Sequence, residues 1–159
     1  MWRIKPTRPR KKNQTQQPMR RPTSILLIDD DLMVRQALGE ALAEENYQVI
    51  PVANRIDALR EIERRAIDIV LLDLNPRREN GWETLRRITA LQPCLPVVAM
   101  TARPEQHEPN AYAYGVDLLL EKPLNLFVLI QALDELASQA RGLVAMQHPS
   151  TTSAWNSVR

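Results

Sequence analysis

Residues 25–31 read Ile-Leu-Leu-Ile-Asp-Asp-Asp, so four apolar residues run directly into three acids. A short, continuous apolar run is typical of a strand that is buried on both faces of a parallel sheet. Because adjacent carboxylates repel one another, Asp29, Asp30 and Asp31 are a costly way to end such a strand. The stretch therefore predicts a buried strand and raises the question of what offsets the charge at its end.

The same alternation of apolar runs and helical patterns continues along the chain. Short apolar runs occur at residues 25–28, 48–53, 68–72, 96–100 and 117–120. Helical spacing of apolar residues fills the gaps, at residues 32–45, 55–65, 81–91, 106–114 and 125–140. Asn125 is the predicted N-cap of the last helix. Five strands that alternate with five helices predict an α/β fold, in which helices cover both faces of a parallel sheet.

Polar side chains follow four of the five predicted strands. Asp29 and Asp30 follow the first strand, Asp73 ends the third, Thr101 ends the fourth, and Lys122 follows the fifth. In open parallel sheets, ligands bind outside the carboxyl ends of the strands. We therefore expect these five side chains to converge on one edge of the sheet.

This set of side chains suits a phosphoryl-transfer site. Clustered carboxylates are stabilised when a divalent cation lies between them, and Mg²⁺ prefers carboxylate, phosphate and water oxygens. A carboxylate can also act as a nucleophile and form an aspartyl phosphate, whose charge a lysine and a hydroxyl can stabilise. The chain has only four glycines and no glycine-rich phosphate loop, so these side chains would have to bind the phosphoryl group themselves.

Five short motifs together resemble those of the receiver domains of two-component response regulators. They are residues 25–31, Leu-Leu-Asp-Leu at 71–74, Gly81 eight residues after Asp73, Met-Thr-Ala at 100–102 and Glu-Lys-Pro-Leu at 121–124. Their order and spacing match the family over about residues 24–140. The resemblance implies a flavodoxin-like (βα)5 three-layer sandwich, with a five-stranded parallel sheet of order 2-1-3-4-5.

The resemblance implies a Mg²⁺ site at the end of the first and third strands. Asp29 and Asp30 match the acidic pair that binds the ion, and Asp30 is the more direct ligand. Asp73 and the backbone carbonyl of Asn75 complete the implied ligand set. Asp31 matches no residue of the family's site, so we interpret it as an acid early in the first helix, where the helix dipole favours it.

The resemblance also implies that Asp73 accepts a phosphoryl group from a histidine kinase or a phosphotransfer protein. Thr101 and Lys122 match the hydroxyl and the ammonium that contact the phosphoryl group. The implied function is a phosphorylation-dependent switch in a two-component phosphorelay, in which a stand-alone receiver signals through contacts with a downstream protein. Such a domain is not an enzyme beyond its own phosphotransfer and dephosphorylation.

Two other functions fit parts of the same pattern. The first is a receiver-like protein-binding module that does not depend on phosphorylation. The second is a phosphohydrolase with an aspartyl intermediate, but this would need a second acid two residues after the nucleophile, where Asn75 lies. The four residues Asp73, Asp30, Thr101 and Lys122 favour the switch over the binding module.

Two departures from the family pattern bear on the switch. The family often has Tyr or Phe three residues before the lysine, and its ring moves together with the threonine; here the position is Leu119. The family also has a proline four residues after the acceptor, where this chain has Arg77, with Pro76 one position earlier. Leu119 therefore predicts that any coupling between Thr101 and the fifth strand differs from the usual one.

The fourth helix and the fifth helix are unusual. Pro104 and Pro109 flank or interrupt the fourth helix, so we expect it to be short or to begin near Asn110. Residues 124–130 are so apolar that one helix face cannot bury all of them. They raise the hypothesis of a partner or homodimer surface on the fourth helix, fifth strand and fifth helix.

Charge and composition divide the chain into three parts. Residues 1–22 carry eight Lys/Arg and no acid, and they predict a disordered basic arm. Residues 23–141 are the predicted domain, and residues 142–159 a flexible tail. A single cysteine and the lack of an apolar run of about 20 residues predict a cytoplasmic protein without a membrane span. The arm alone would attract nucleic acid only without sequence preference, so we do not expect specific DNA binding.

Overall fold

A computed structural model describes residues 21–74 and 81–147, and strands and helices alternate along this part of the chain. The strands are β1 (Ser24–Ile28), β2 (Gln48–Val52), β3 (Ile69–Asp73), β4 (Val97–Thr101) and β5 (Leu118–Glu121). The helices are α1 (Leu32–Glu44), α2 (Arg55–Arg64), α3 (Gly81–Leu91), α4 (Pro104–Ala111) and α5 (Leu126–Gln147). A 3-10 turn, Tyr112–Tyr114, follows α4. Asn75, Pro76, Arg77 and most of the predicted arm and tail lie outside the described residues.

All strand pairs are parallel, and the sheet order is β2-β1-β3-β4-β5, which confirms the predicted fold. The register aligns the strand ends: Ile28 lies opposite Leu72, and Asp73 lies opposite Met100. The residues that follow these strands therefore meet at one edge of the sheet.

The core has two layers, one on each face of the sheet. Along β1, Leu26 and Ile28 contribute to the layer on one face, and Ile25 and Leu27 to the layer on the other. Because both faces are covered, the strand interior is apolar without alternation, as residues 25–28 suggested. Burial of each such side chain stabilises the fold by about 1.5–3 kcal/mol.

The fourth helix is short, as predicted, but it does not begin near Asn110. It begins at Pro104 and has eight residues. A proline in the first helical position costs little, because the N–H group that it lacks has no partner within the helix there. Gly115, at φ 93°, ends the following turn, where a side chain would be strained.

The last helix begins as predicted but ends later. Asn125 is its N-cap, since the Asn125 Oδ1 atom accepts a hydrogen bond from the Val128 N–H at 3.3 Å. The helix continues to Gln147, beyond the predicted end near residue 140. Gly142 in its interior costs only about 1 kcal/mol, which a long helix tolerates.

The N-terminal boundary of the predicted domain lies close to an ion pair. Arg21, within the predicted arm, donates two hydrogen bonds of 2.8 Å to the Asp68 carboxylate. The division at residues 22 and 141 stays a prediction. Among the described helices, none combines the length and the apolar character that crossing a bilayer requires.

Candidate functional site

Asp29 and Asp30 lie directly beyond β1. The Asp29 N–H donates a hydrogen bond to the Val52 carbonyl at 3.3 Å, which extends the pairing of β1 with β2 by one residue. Asp29 is 2% exposed, whereas Asp30 is half-buried. The Asp29 Oδ1 atom accepts a hydrogen bond from the Asp31 N–H at 2.9 Å, so part of its charge is stabilised by the turn itself.

Asp31 starts α1, but as its N-cap rather than as an acid within the first turn. Its Oδ1 atom accepts hydrogen bonds from the Met33 and Val34 N–H groups, at 2.8 and 3.2 Å. These N–H groups have no partner within the helix, so the carboxylate stabilises the helix start. Asp31 is exposed and takes no part in the carboxylate cluster described next.

One carboxylate oxygen from each of Asp29, Asp30 and Asp73 lies within 4.8 Å of the others. Lys122 contacts two of these acids: its Nζ atom lies 2.9 Å from Asp29 Oδ2 and 3.2 Å from Asp73 Oδ1. Within the described part of the chain, the Asp30 carboxylate accepts no hydrogen bond, either from Lys122 or from another donor. Among the described residues, one ammonium contacts this group of three carboxylates. Such a concentration of negative charge is stabilised when a divalent cation binds between the acids.

The charge on Lys122 is held in place by its neighbours. Burial acts to lower the pKa of Lys122, but the hydrogen bond to Asp29 and the charge of Asp73 outweigh it. The pKa of Lys122 is therefore raised, and the ammonium stays charged at neutral pH. The acids after β1 are therefore offset by the half-buried ammonium of Lys122, which follows the edge strand β5.

Asp73 is the last residue of β3 and is buried. The first residue of α3 packs directly against it: a Cβ atom on Gly81 would lie 2.9 Å from the Asp73 carbonyl oxygen and 3.0 Å from Leu74 Cα. Only glycine allows this approach without a shift of the backbone. Gly81 therefore sets how closely α3 lies to the acid cluster.

A small cavity of about 30 Å³ lies beside the cluster. Asp29, Asp30, Asp73, Gly81 and Thr84 are among the residues that line it. It has room for a water molecule or a small ion, and the carboxylate oxygens around it are ligands that Mg²⁺ prefers. The residues present thus fit a magnesium ion. Thr84, which is 2% exposed, was not predicted, because a lone threonine in a helix gives no signal in the sequence.

Thr101 lies on the same edge of the sheet as the acids. It is the last residue of β4 and 3% exposed, and its Oγ1 atom accepts a hydrogen bond from the Arg103 N–H at 3.1 Å. Its carbonyl accepts a hydrogen bond from the Lys122 N–H at 2.8 Å, which places Lys122 beside it. Among the described residues, the Thr101 hydroxyl makes no hydrogen bond to a carboxylate.

Leu119 is half-buried and packs into the core layer that also contains Ile28 and Leu72.

An aromatic cluster that the sequence did not predict lies nearby, between α3 and α4. The Trp82 ring centroid is 5.5 Å from that of His107 and 5.6 Å from that of Tyr114. These rings line a cavity of about 260 Å³. His107 lies in α4, within the helix predicted over residues 106–114.

The sequence is similar to a known protein family and to proteins of known role. A family model described as the response regulator receiver domain matches residues 25–134. The chain is 31% identical, over 138 residues, to the transcriptional regulatory protein GlrR of Escherichia coli, covering 85% of this chain and 29% of that protein. It is 36% identical, over 118 residues, to the sensor histidine kinase RcsC of Salmonella typhimurium, covering 74% and 12%. It therefore spans less than a third of either relative.

Several solved structures share this fold. A CheY-like receiver domain protein of Methanospirillum hungatei superposes with a TM-score of 0.71 at 23% identity, covering 76% of this chain and 98% of that one. The receiver domain of a sensor histidine kinase from Pseudomonas aeruginosa has a TM-score of 0.67 at 28% identity, covering 74% and 98%. That structure has a magnesium ion coordinated in its active site cleft.

Proposed function

The chain belongs to the response regulator receiver domain family, and from this we propose that it is a phosphorylation-dependent switch in which Asp73 accepts a phosphoryl group. The observation that carries the proposal is the arrangement around Asp73. Its buried carboxylate lies within 4.8 Å of two others, and the Lys122 ammonium lies 3.2 Å from its Oδ1 atom. An ordinary turn between a strand and a helix needs no cluster of acids with an ammonium, whereas the transfer of a charged phosphoryl group does.

The proposed chemistry is one transfer. A carboxylate oxygen of Asp73 attacks the phosphorus of a phosphohistidine on the partner, the P–N bond breaks with its electron pair going to the histidine nitrogen, and an acyl phosphate forms. Lys122 stabilises the charge on the phosphoryl oxygens during the transfer. Asp29 and Asp30, with Asp73, would hold Mg²⁺, which when bound supplies further positive charge to the phosphoryl group. Asn75 remains the proposed carbonyl ligand.

Thr101 is the proposed link from the phosphoryl group to the rest of the domain. If its hydroxyl turns to donate a hydrogen bond to the phosphoryl group, it loses the hydrogen bond that it accepts from Arg103. Arg103 is the N-cap of α4, and its side chain makes no capping hydrogen bond. Movement of Thr101 would therefore act directly on the start of α4. Leu119 would follow as a packed aliphatic side chain rather than as a swinging ring.

The proposed partners are a histidine kinase or phosphotransfer protein upstream and a target protein downstream. The relatives include both a histidine kinase and a transcriptional regulator. A homodimer surface on α4, β5 and α5 stays a prediction, and the 68% exposure of Phe127 at the start of α5 supports it. The stand-alone organisation and the cytoplasmic location also stay predictions.

The proposal is tested by incubating the chain with acetyl phosphate and Mg²⁺ and measuring the intact mass. We expect the gain of one phosphoryl group, its loss in Asp73→Asn, and its retention in Asp31→Asn. The last variant is a matched control, because asparagine caps a helix as well as aspartate does. A native chain that gains no mass would instead support the phosphorylation-independent binding module.

A further inference from the structure

Arg35 lies outside the carboxylate cluster, yet it contacts one of its members. It is the fourth residue of α1 and half-buried. Its guanidinium Nη1 atom donates a hydrogen bond of 2.7 Å to the backbone carbonyl of Asp29. Its own N–H donates to the Asp31 carbonyl at 3.0 Å. The helix that Asp31 caps therefore directs the arginine back toward the end of β1.

With this contact, every polar group of Asp29 is engaged. Its N–H donates to Val52, its two carboxylate oxygens accept from Asp31 and Lys122, and its carbonyl accepts from Arg35. Asp29 is therefore fixed from four directions. Of these contacts, the one from Arg35 is the only side-chain contact that holds its backbone.

The contact also bears on Asp30. The Asp29 carbonyl and the Asp30 N–H belong to one planar peptide group. A hydrogen bond that fixes the carbonyl thus fixes the plane of this group and the position of the Asp30 Cα atom. Asp30 carries the carboxylate that, within the described part of the chain, has no hydrogen-bond donor of its own, so its backbone decides where that carboxylate lies.

We propose that Arg35 is a positioning residue for the Mg²⁺ site, which acts by holding the peptide plane between Asp29 and Asp30. The proposal rests on the proposed function in taking Asp29 and Asp30 as ligands of the ion. Groups that orient metal ligands without touching the metal typically contribute 10- to 100-fold in affinity, so we expect a loss in that range on removal of Arg35.

The direction in which Mg²⁺ affinity changes on removal of Arg35 distinguishes a positioning role from an effect of its charge. Arg35 is a cation close to a cation site, so through its charge alone it would repel Mg²⁺. If charge were its only influence, Arg35→Gln would bind Mg²⁺ more tightly. If Arg35 positions the ligands, Arg35→Gln binds Mg²⁺ more weakly in spite of the lost positive charge.

The test is calorimetric titration of the full chain with Mg²⁺ alone, for the native protein, Arg35→Gln and Arg35→Lys. Arg60→Gln is the matched control, because it removes the same charge from an exposed pair with Asp57. We expect Arg35→Gln to weaken binding by about 10-fold or more and Arg35→Lys to weaken it less, with Arg60→Gln near the native value. Binding by folded Arg35→Gln that is unchanged or tighter would overturn the proposal.

A second measurement keeps the outcome interpretable. The initial rate of phosphorylation by acetyl phosphate is followed against Mg²⁺ concentration. If Arg35 positions the ligands of the ion, Arg35→Gln needs a higher Mg²⁺ concentration for half-maximal phosphorylation but reaches the native rate at saturating Mg²⁺. General damage to the fold would lower the rate at saturating Mg²⁺ as well, and this result would contradict the proposal. If Arg35→Gln does not fold by circular dichroism, Arg35→Lys decides in the same way. Failure of the native chain to become phosphorylated would refute the proposed function but leave the binding comparison valid.

Discussion

At the scale of single residues, the kind of cation at the site matters. Lys122 is the only lysine between residues 21 and 147, where the other basic residues are all arginines apart from His107. An ammonium is a compact charge that can contact two carboxylates from one position, whereas a guanidinium is a planar fork suited to one carboxylate. The two contacts of Lys122, with Asp29 and Asp73, use this property.

Lys122→Met should destabilise the domain in the absence of Mg²⁺. It leaves Asp29 and Asp73 buried without their ammonium, and since Lys122 is partly exposed we expect a loss of about 1–3 kcal/mol in the free energy of unfolding. Urea unfolding without Mg²⁺ measures this, and added Mg²⁺ should recover part of the loss. Arg87→Met, which breaks an exposed pair with Glu83, should change little. Equal stability of Lys122→Met and the native chain would contradict the pairing.

The environment of Tyr47 should make the stability of the folded domain depend on pH in the alkaline range. Its buried hydroxyl donates a hydrogen bond to Asp134, and burial first, then this bond and the negative charge of Asp134, raise the pKa of Tyr47. Since the folded state favours the neutral phenol, this contribution is fully present below the unfolded pKa of about 10 and is lost as pH rises above it.

The free energy of unfolding of the native chain and of Tyr47→Phe, measured with urea between pH 8 and 11, tests this effect. The native chain should lose more stability over that range than Tyr47→Phe does, because the variant has no phenol at this position to titrate. Tyr112→Phe is the control, since Tyr112 is exposed and should keep the native slope. Parallel slopes for the native chain and Tyr47→Phe would count against the argument.

At the scale of elements, the position of α3 depends on Gly81. Gly81→Ala should destabilise the domain by about 1–3 kcal/mol, because the added methyl group meets the backbone of Asp73 and Leu74. Gly142→Ala is the matched control: apart from the backbone of its own helix, no atom of the described residues lies within 4 Å of the position that its methyl group would take. This variant should be neutral or stabilise α5 by up to about 1 kcal/mol. Thermal unfolding of both variants tests this difference. Equal shifts in the melting temperature of the two variants would refute it.

The aromatic cluster predicts a local effect on α4. Trp82→Leu removes the ring contacts with His107 and Tyr114, each of a kind that contributes about 0.5–1.5 kcal/mol. We expect faster amide hydrogen exchange in residues 104–114, with α5 little affected. Leu91→Ala, an exposed position on the same helix, serves as the control. Unchanged exchange in residues 104–114 would show that α4 is held by other contacts.

The elements also show what the sequence could and could not predict. The apolar runs located all five strands to within about one residue. The signal is clearest for the central strands β1, β3 and β4, because a strand buried on both faces must be almost continuously apolar. The start of α4 was wrong because Pro104 can either break a helix or begin one, and only the surrounding packing decides. Likewise, spacing alone gave no reason to expect that Arg35 and Thr84 lie near the acids, since helical residues of these types are usually exposed to solvent.

At the scale of the whole molecule, the site depends on the order of the strands. Because β1 and β3 are neighbours, Asp29, Asp30 and Asp73 are brought together from positions more than 40 residues apart. β5 lies at the far edge, and the length of Lys122 lets its ammonium reach across β4 to the acids. Alternation of strands and helices predicted the shared edge, while the strand order came from the resemblance and the contacts from the structure.

Direct identification of the acceptor tests the central claim. The chain is treated with acetyl phosphate and Mg²⁺, any acyl phosphate is reduced with borohydride to homoserine, and the converted residue is located by peptide mass spectrometry. We predict conversion of Asp73, with Asp29, Asp30 and Asp31 unchanged. Conversion at another acid, or no conversion in a chain that binds Mg²⁺, would contradict the assignment of Asp73 as the phosphoacceptor.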